Sequence, residues 1–121
     1  MSPAAANVEI ARAWLRALNA HDVQSLVLLY DAHATHTSPK IRALHPDTGG
    51  KIVGHAALTA WWSDAIARLP GLRYEATSLT ADAERVFLEY VRHAPNESPM
   101  PVAEVFDVRA GMIVASRVYH G

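Results

Sequence analysis

The hydrophobic period of this chain changes once, at Gly71, and that change limits the folds open to it. Before Gly71 the apolar residues recur at three- and four-residue spacing, as on one face of a helix; after it they come in short β-branched and aromatic runs. Val8, Ala11, Leu15 and Leu18, widened by Ile10, Trp14 and Ala17, predict a helix from about Asn7 to Ala20. "NAHD" supplies a turn, and Asp22 caps a second helix expected to run through Tyr30 with Leu26, Leu29 and Tyr30 as its buried face. In "GHAALTAWWSDAIARLPG" Leu58, Trp61, Trp62, Ala65, Ile66 and Leu69 form a continuous stripe that ends at Pro70 and Gly71.

Four extended runs follow: "LRYEATSL", "RVFLEYVRH", "PVAEVFDVR" and "MIVASRVYH". Helices segregated from consecutive strands define an α+β class, with three helices against one face of a curved, mostly antiparallel sheet. At 121 residues one domain spanning 1–121 is expected, with residues 1–6 as a flexible leader. The stretch 39–54, with turn signals at "HPD" and "TGG", reads as a long binding loop or lid. Apolar residues on both sides of the strands, Phe87 and Val91 opposite Val86, Leu88 and Tyr90, point to a homodimer through the outer sheet face.

The composition excludes several classes of function. Eleven basic and twelve acidic residues leave a formal charge of -1 without a basic cluster, so neither nucleic acid nor an anionic membrane is an expected partner. The start "MSPAAANVE" carries no leader signal and no apolar run approaches a membrane span, so the cytoplasm is expected. Cysteine is absent, which removes disulfides, thiolate nucleophiles and sulfur-rich metal sites. Seven histidines include the pair His33 and His36, but on a strand these point apart and no metal-ligand pattern accompanies them. No metal and no cofactor are expected.

Two strands carry the chemistry. In "VAEVFDVR" the set Val102, Glu104, Phe106, Val108 alternates with Ala103, Val105, Asp107, Arg109; the second set ends in two charges, so the first faces inward and takes Glu104 with it. A carboxyl group among apolar neighbours stays protonated to a higher pH and suits proton transfer; the alternative is a Glu near the sheet edge, solvated or paired with Arg92 or Arg117. "ATHTSP" is the other strand, placing His36 and Ser38 on one face and Thr35 and Thr37 on the other. The turn "RAGM" sets the facing of the last strand. A bulged three-residue turn puts Val114, Ser116, Val118 and His120 beside Glu104, and a two-residue turn puts Ile113, Ala115, Arg117 and Tyr119 there. The bulged turn is the expectation.

The order of elements and the strings "ALNAHDVQSLVLLY", "GHAALTAWW" and "AEVFDVRAGMIVASRVYH" resemble the nuclear-transport-factor-2-like superfamily, in its SnoaL-like and ketosteroid-isomerase-like branch, from about Val8 to His120. The resemblance implies a cone-shaped α+β barrel with a pocket between helices and concave sheet, usually in homodimers, and it favours the bulged hairpin. It also compares residues. Ketosteroid isomerases have a tyrosine where this chain has Trp14, a general-base aspartate where it has Ser38 and a protonated aspartate where it has Glu104. Only the third position keeps a carboxyl group, so that steroid chemistry is not carried over.

The expectation is therefore an enzyme doing acid/base chemistry on a small, largely apolar molecule, of isomerase, cyclase or hydrolase type. Glu104 is its acid, His36 or His120 its base, and Tyr90 orients the substrate. Trp14, Leu18, Tyr30, Ser38, Trp61, Val86, Leu88, Phe106, Ser116 and Val118 complete the expected pocket. Two alternatives share the fold: a non-catalytic protein that binds a small ligand, and a dimeric interaction module with a filled core.

Overall fold

The computed structural model describes all 121 residues. The first helix, α1 (Pro3–Asn19), is capped by Ser2, whose side chain accepts the Ala5 amide at 3.1 Å, with Pro3 in the first turn where no amide partner is needed. It therefore begins four residues before the expected start at Asn7 and takes in most of the segment expected to be flexible. The second helix, α2 (Val23–Val27), has the Asp22 cap but stops short of Tyr30. Sheet pairing wins there: the Ile113 amide donates to the Leu29 carbonyl at 3.0 Å, and Tyr30 becomes the first residue of β1 (Tyr30–Thr37).

The segment expected as a long loop is mostly ordered structure. It holds α3 (Pro39–Leu44), a 3-10 turn (Pro46–Thr48) and the short strand β2 (Lys51–Val53), which pairs antiparallel with β1. Ser38 ends the strand and caps α3 through the Lys40 amide at 3.1 Å, so one residue serves both elements. The helix count is thus four, not three, with α4 (His55–Arg68) burying Leu58, Trp61, Trp62 and Ala65 as the stripe requires.

Strands β3 (Arg73–Ala81), β4 (Arg85–His93), β5 (Met100–Arg109) and β6 (Met112–His120) match the four extended runs closely. The six strands form one open sheet in the order β2-β1-β6-β5-β4-β3, antiparallel except where β1 runs alongside β6. The β5–β6 turn corrects the expectation. It has two residues, Ala110 and Gly111, both with positive φ (51° and 77°), flanked by the pair Arg109 and Met112. The bulge lies further on, between the pairs Val108–Ile113 and Asp107–Ala115, so Val114 is the extra residue. Ile113 faces the core, not Val114, while Ser116 and Val118 still share the inner face with Glu104.

Inward-facing residues lie in rows across the sheet. The first row is His36, Ser116, Phe106 and Val86; the next is Val118, Glu104 and Leu88; then come His120, Val102 and Tyr90, and last Met100, Arg92 and Tyr74. Trp14 of α1 packs against Phe106 and Trp62 of α4 against His36, so the end holding the first rows is solid, and Trp14 also stacks on Tyr74 of the last row. No helix is long and apolar enough to cross a membrane.

Candidate functional site

At the solid end, four polar side chains make a buried chain of hydrogen bonds. The Trp14 indole donates to Tyr30 Oη at 3.1 Å, Tyr30 Oη meets Ser116 Oγ at 3.1 Å, and Ser116 Oγ meets His36 Nδ1 at 2.6 Å. Burial pushes His36 down to about 4, so its ring is neutral at pH 7, and in the tautomer protonated at Nε2 its Nδ1 accepts the serine proton. Each hydroxyl then donates to the next group, which polarises the whole series. Trp14 packs against Phe106 at 5.1 Å and Trp62 at 6.1 Å between ring centroids, and Leu18, Val86 and Leu88 are fully buried around them.

Beside these rows a cleft opens between α4, the start of α3 and the inner face of β4, β5 and β6. It offers about 90 Å³ to a water-sized occupant, room for about three waters at liquid density. Its floor is Tyr90, Val102, Val118 and Tyr74; Trp61, Ala65 and Arg68 come from α4, Ser38 and Lys40 from the start of α3, and His120 stands at the rim. Of the residues expected in a pocket, Ser38, Trp61, Tyr90, Val118 and His120 line this cleft. His36, Trp14, Leu18, Tyr30, Val86, Leu88, Phe106 and Ser116 do not; they fill the core behind it.

Glu104 sits between the two regions. It is completely buried and does not line the cleft, yet Oε1 lies 2.8 Å from Tyr90 Oη, which does. Burial pushes its carboxyl up to about 8, partly opposed by the Tyr90 hydrogen bond. Oε2 has no partner, as suits a neutral acid better than a carboxylate, for which an orphaned buried oxygen costs several kcal/mol. Tyr90 Oη donates to Oε1 as the side chains stand; if the neutral carboxyl instead turns its proton toward Oη, the phenolic proton is released from Glu104. Above pH 8 the carboxylate takes that proton back.

Across the floor, Tyr90 pairs with Val102 and Val102 with His120. Two strand spacings therefore separate the phenol's backbone from the imidazole's, about 10 Å. Partial burial, with the positive charges of Lys40 and Arg92 nearby, holds His120 below the ordinary histidine value, so the ring is neutral and able to accept a proton at pH 7. A proton donor and a proton acceptor thus stand on one row of the inner face, two strands apart, and both line the cleft. No three His, Asp or Glu side chains come together to hold a metal ion.

The residues least expected from the sequence are charged. Arg92, nearly buried, donates to Glu97 at 2.7 Å from the β4–β5 connection, and both line the cleft with Lys40 and Arg68. The only sequence sign was that Arg92 follows Val86, Leu88 and Tyr90 on the inner face of β4, at a position where a strand end leaves room for a long side chain.

Fold and residue pattern identify the class. Residues 11–116 match the SnoaL-like domain, and the chain belongs to that family. Among solved structures it is similar to a SnoaL-like protein of unknown function from Burkholderia thailandensis E264, with 23% identity, a TM-score of 0.86, and 97% of this chain and 95% of that one covered. A candidate ketosteroid isomerase from Kribbella flavida DSM 17836 aligns with 16% identity and a TM-score of 0.81 over 100% of this chain and 82% of its own. A candidate polyketide cyclase from Sinorhizobium meliloti does so with 18% identity and a TM-score of 0.77 over 92% and 94%. At these identities the likeness shows the fold. None of the curated proteins matches the chain.

Proposed function

We propose that the protein is an acid/base enzyme of isomerase or cyclase type, acting on a small enolisable carbonyl compound in the cleft. The observation that carries this reading is the row Tyr90–Val102–His120, with neutral Glu104 behind the phenol. His120 takes a proton from the carbon next to the carbonyl. Negative charge then develops on the carbonyl oxygen, and Tyr90 donates a hydrogen bond to it, strengthened by the proton that Glu104 gives to Tyr90 Oη. The imidazolium returns its proton to another carbon, which is isomerisation, or the enolate carbon attacks a second carbonyl of the same molecule and the imidazolium protonates the alkoxide so formed, which is cyclisation. In this scheme Tyr90 and His120 touch the substrate and Glu104 acts through Tyr90. His36 has no part in it, because Ser116 engages its Nδ1 in the core. Candidate isomerase and cyclase relatives of the same fold support the reaction class.

The test is deuterium exchange from solvent into a panel of cyclic enones and aryl ketones, followed by proton NMR. His120→Ala and Tyr90→Phe are each expected to slow exchange about 100-fold, with Glu104→Gln intermediate. Exchange at the wild-type rate in both cleft variants defeats the scheme. A ketone that raises the melting temperature but never exchanges marks a carrier instead. As partner the same reading takes a second copy of the chain on the outer sheet face, where Phe87 and Tyr119 are each 53% exposed beside Val105; sedimentation equilibrium reads that directly.

A further inference from the structure

The charge around the cleft is opposite in sign to that of the chain as a whole. Lys40, Arg68 and Arg92 reach its walls from three different elements, α3, α4 and β4, against a single lining carboxylate, Glu97. Arg68 is already engaged by Asp64 at 2.8 Å, and Arg92 by Glu97 at 2.7 Å. No ion pair of the chain involves Lys40. A protein of formal charge -1 has thus gathered an excess positive charge at the rim of a small cavity, beside a half-apolar floor of Val102, Val118 and Trp61. Three cations sharing one recess repel one another, and an anion between them relieves that repulsion.

Glu97 marks where that anion goes. Its carboxylate is held by Arg92 at 2.7 Å, and Lys40 and Arg68 line the same cleft and hold its pKa further below the ordinary carboxylate value. The carboxylate is tethered to the connection between β4 and β5 and is partly exposed, with 39% of its side chain accessible, whereas Arg92 is 9% accessible. The arginine is fixed and the glutamate is the replaceable partner.

We infer that the cleft is built for a substrate carrying a small anionic group, a carboxylate on an apolar body, which displaces Glu97 from Arg92 and is seated by Lys40. This rests on the enolisable-carbonyl reading and adds the charged end: the anion binds at the cationic rim while the carbonyl lies over Val102 between Tyr90 and His120. Glu97 is then a built-in competitor that occupies the arginine when no ligand is present and excludes neutral molecules too weak to profit from displacing it.

The probe pair is 3-benzoylpropionate, an aryl keto acid, and its neutral amide. Calorimetric titration should show the acid binding at least tenfold tighter than the amide at low ionic strength, with the advantage shrinking as salt is added. Arg92→Met and Lys40→Met should each remove most of that preference, while Glu97→Gln should tighten the acid severalfold. Equal affinity for acid and amide in the wild type overturns the inference, and so does an Arg92→Met variant, folded by circular dichroism, that keeps the tenfold preference. Should Arg92→Met fail to fold, Lys40→Met and Glu97→Gln decide, since a preference untouched in both is equally fatal. The failures are separable: exchange of the amide and acid at the same rate and affinity sinks the anion site and leaves the proton chemistry, whereas tight acid binding without exchange does the reverse.

Discussion

The two ends of the sheet use similar residues to opposite effect. At the solid end, Trp14, Tyr30, Ser116 and His36 bond to one another, and none of the four is more than 1% exposed. At the open end, Tyr90, Glu104 and His120 form one internal contact, from Tyr90 to Glu104, and leave a carboxyl oxygen without a partner. A satisfied polar network fixes one arrangement of the core; an incompletely satisfied one keeps donors and acceptors for something that is not part of the chain. The difference teaches that histidine and tyrosine content alone does not locate a site. What matters is whether their bonding capacity has been used.

The comparison breaks most readily at the tryptophans. Trp14→Ala should cost about 3–5 kcal/mol in urea denaturation, as for other fully buried large side chains, while Trp61→Ala, with one side against the cleft, should cost about 2 kcal/mol. Equal costs would mean that the open end is packed as tightly as the other.

Opposite pH dependences sharpen it further. Glu104 holds its proton up to about 8 in the folded chain and to 4.5 in the unfolded one, so its contribution is full below 4.5 and is lost as pH rises toward 8. His36 works the other way. Its folded value of about 4 lies below the ordinary 6.5, so stability falls as pH drops through that window. Between pH 4.5 and 6.5 the two slopes oppose each other; from 6.5 to 8 Glu104 acts alone, at about 1 kcal/mol per pH unit. Unfolding free energies measured from pH 5 to 8 should therefore be nearly level and then decline for the wild type. For Glu104→Gln they should rise to about pH 6.5 and then stay level.

The smallest effect expected is at Ser116. Ser116→Ala leaves His36 Nδ1 and the Tyr30 hydroxyl without a shared partner, a loss of about 1–3 kcal/mol. Ligand affinity at the cleft should not change, because the bond network of the core does not reach it. A change in cleft binding without a change in stability would mean that the ends are coupled.

Side-chain alternation made the strands legible, and with them the burial of Glu104, because a period of two assigns every residue of "VAEVFDVR" to a face once two charges mark the outside. The family was legible for the same reason, through element order and the terminal hairpin. Three things were not. Helix α2 and β1 divide "LVLLY" at a point set by the Ile113 amide, a residue more than eighty positions away. The short α3 and β2 hold too few residues to show a period of their own. The depth of the core depends on how far α1 and α4 press onto the sheet, which no spacing encodes; that depth is why His36 and Ser38, neighbours on one face of the same strand, fall on opposite sides of the boundary between filled and open.

The extra residue at Val114 has a consequence for the evolution and engineering of this strand. It lets Ile113 and Ser116 both serve the filled end and Val118 and His120 the open one, although Ile113 and the later three are out of step by one position. Excision of Val114 would leave every later residue on its present side and cost mainly the bend that the bulge adds. Excision of any single residue from Arg117 to Tyr119 would turn what lies beyond it inside out and carry His120 away from the cleft. Length variation in this strand is therefore free at one position and forbidden at its neighbours, which makes Val114 the natural place to adjust the curvature of the sheet without rewriting the cleft.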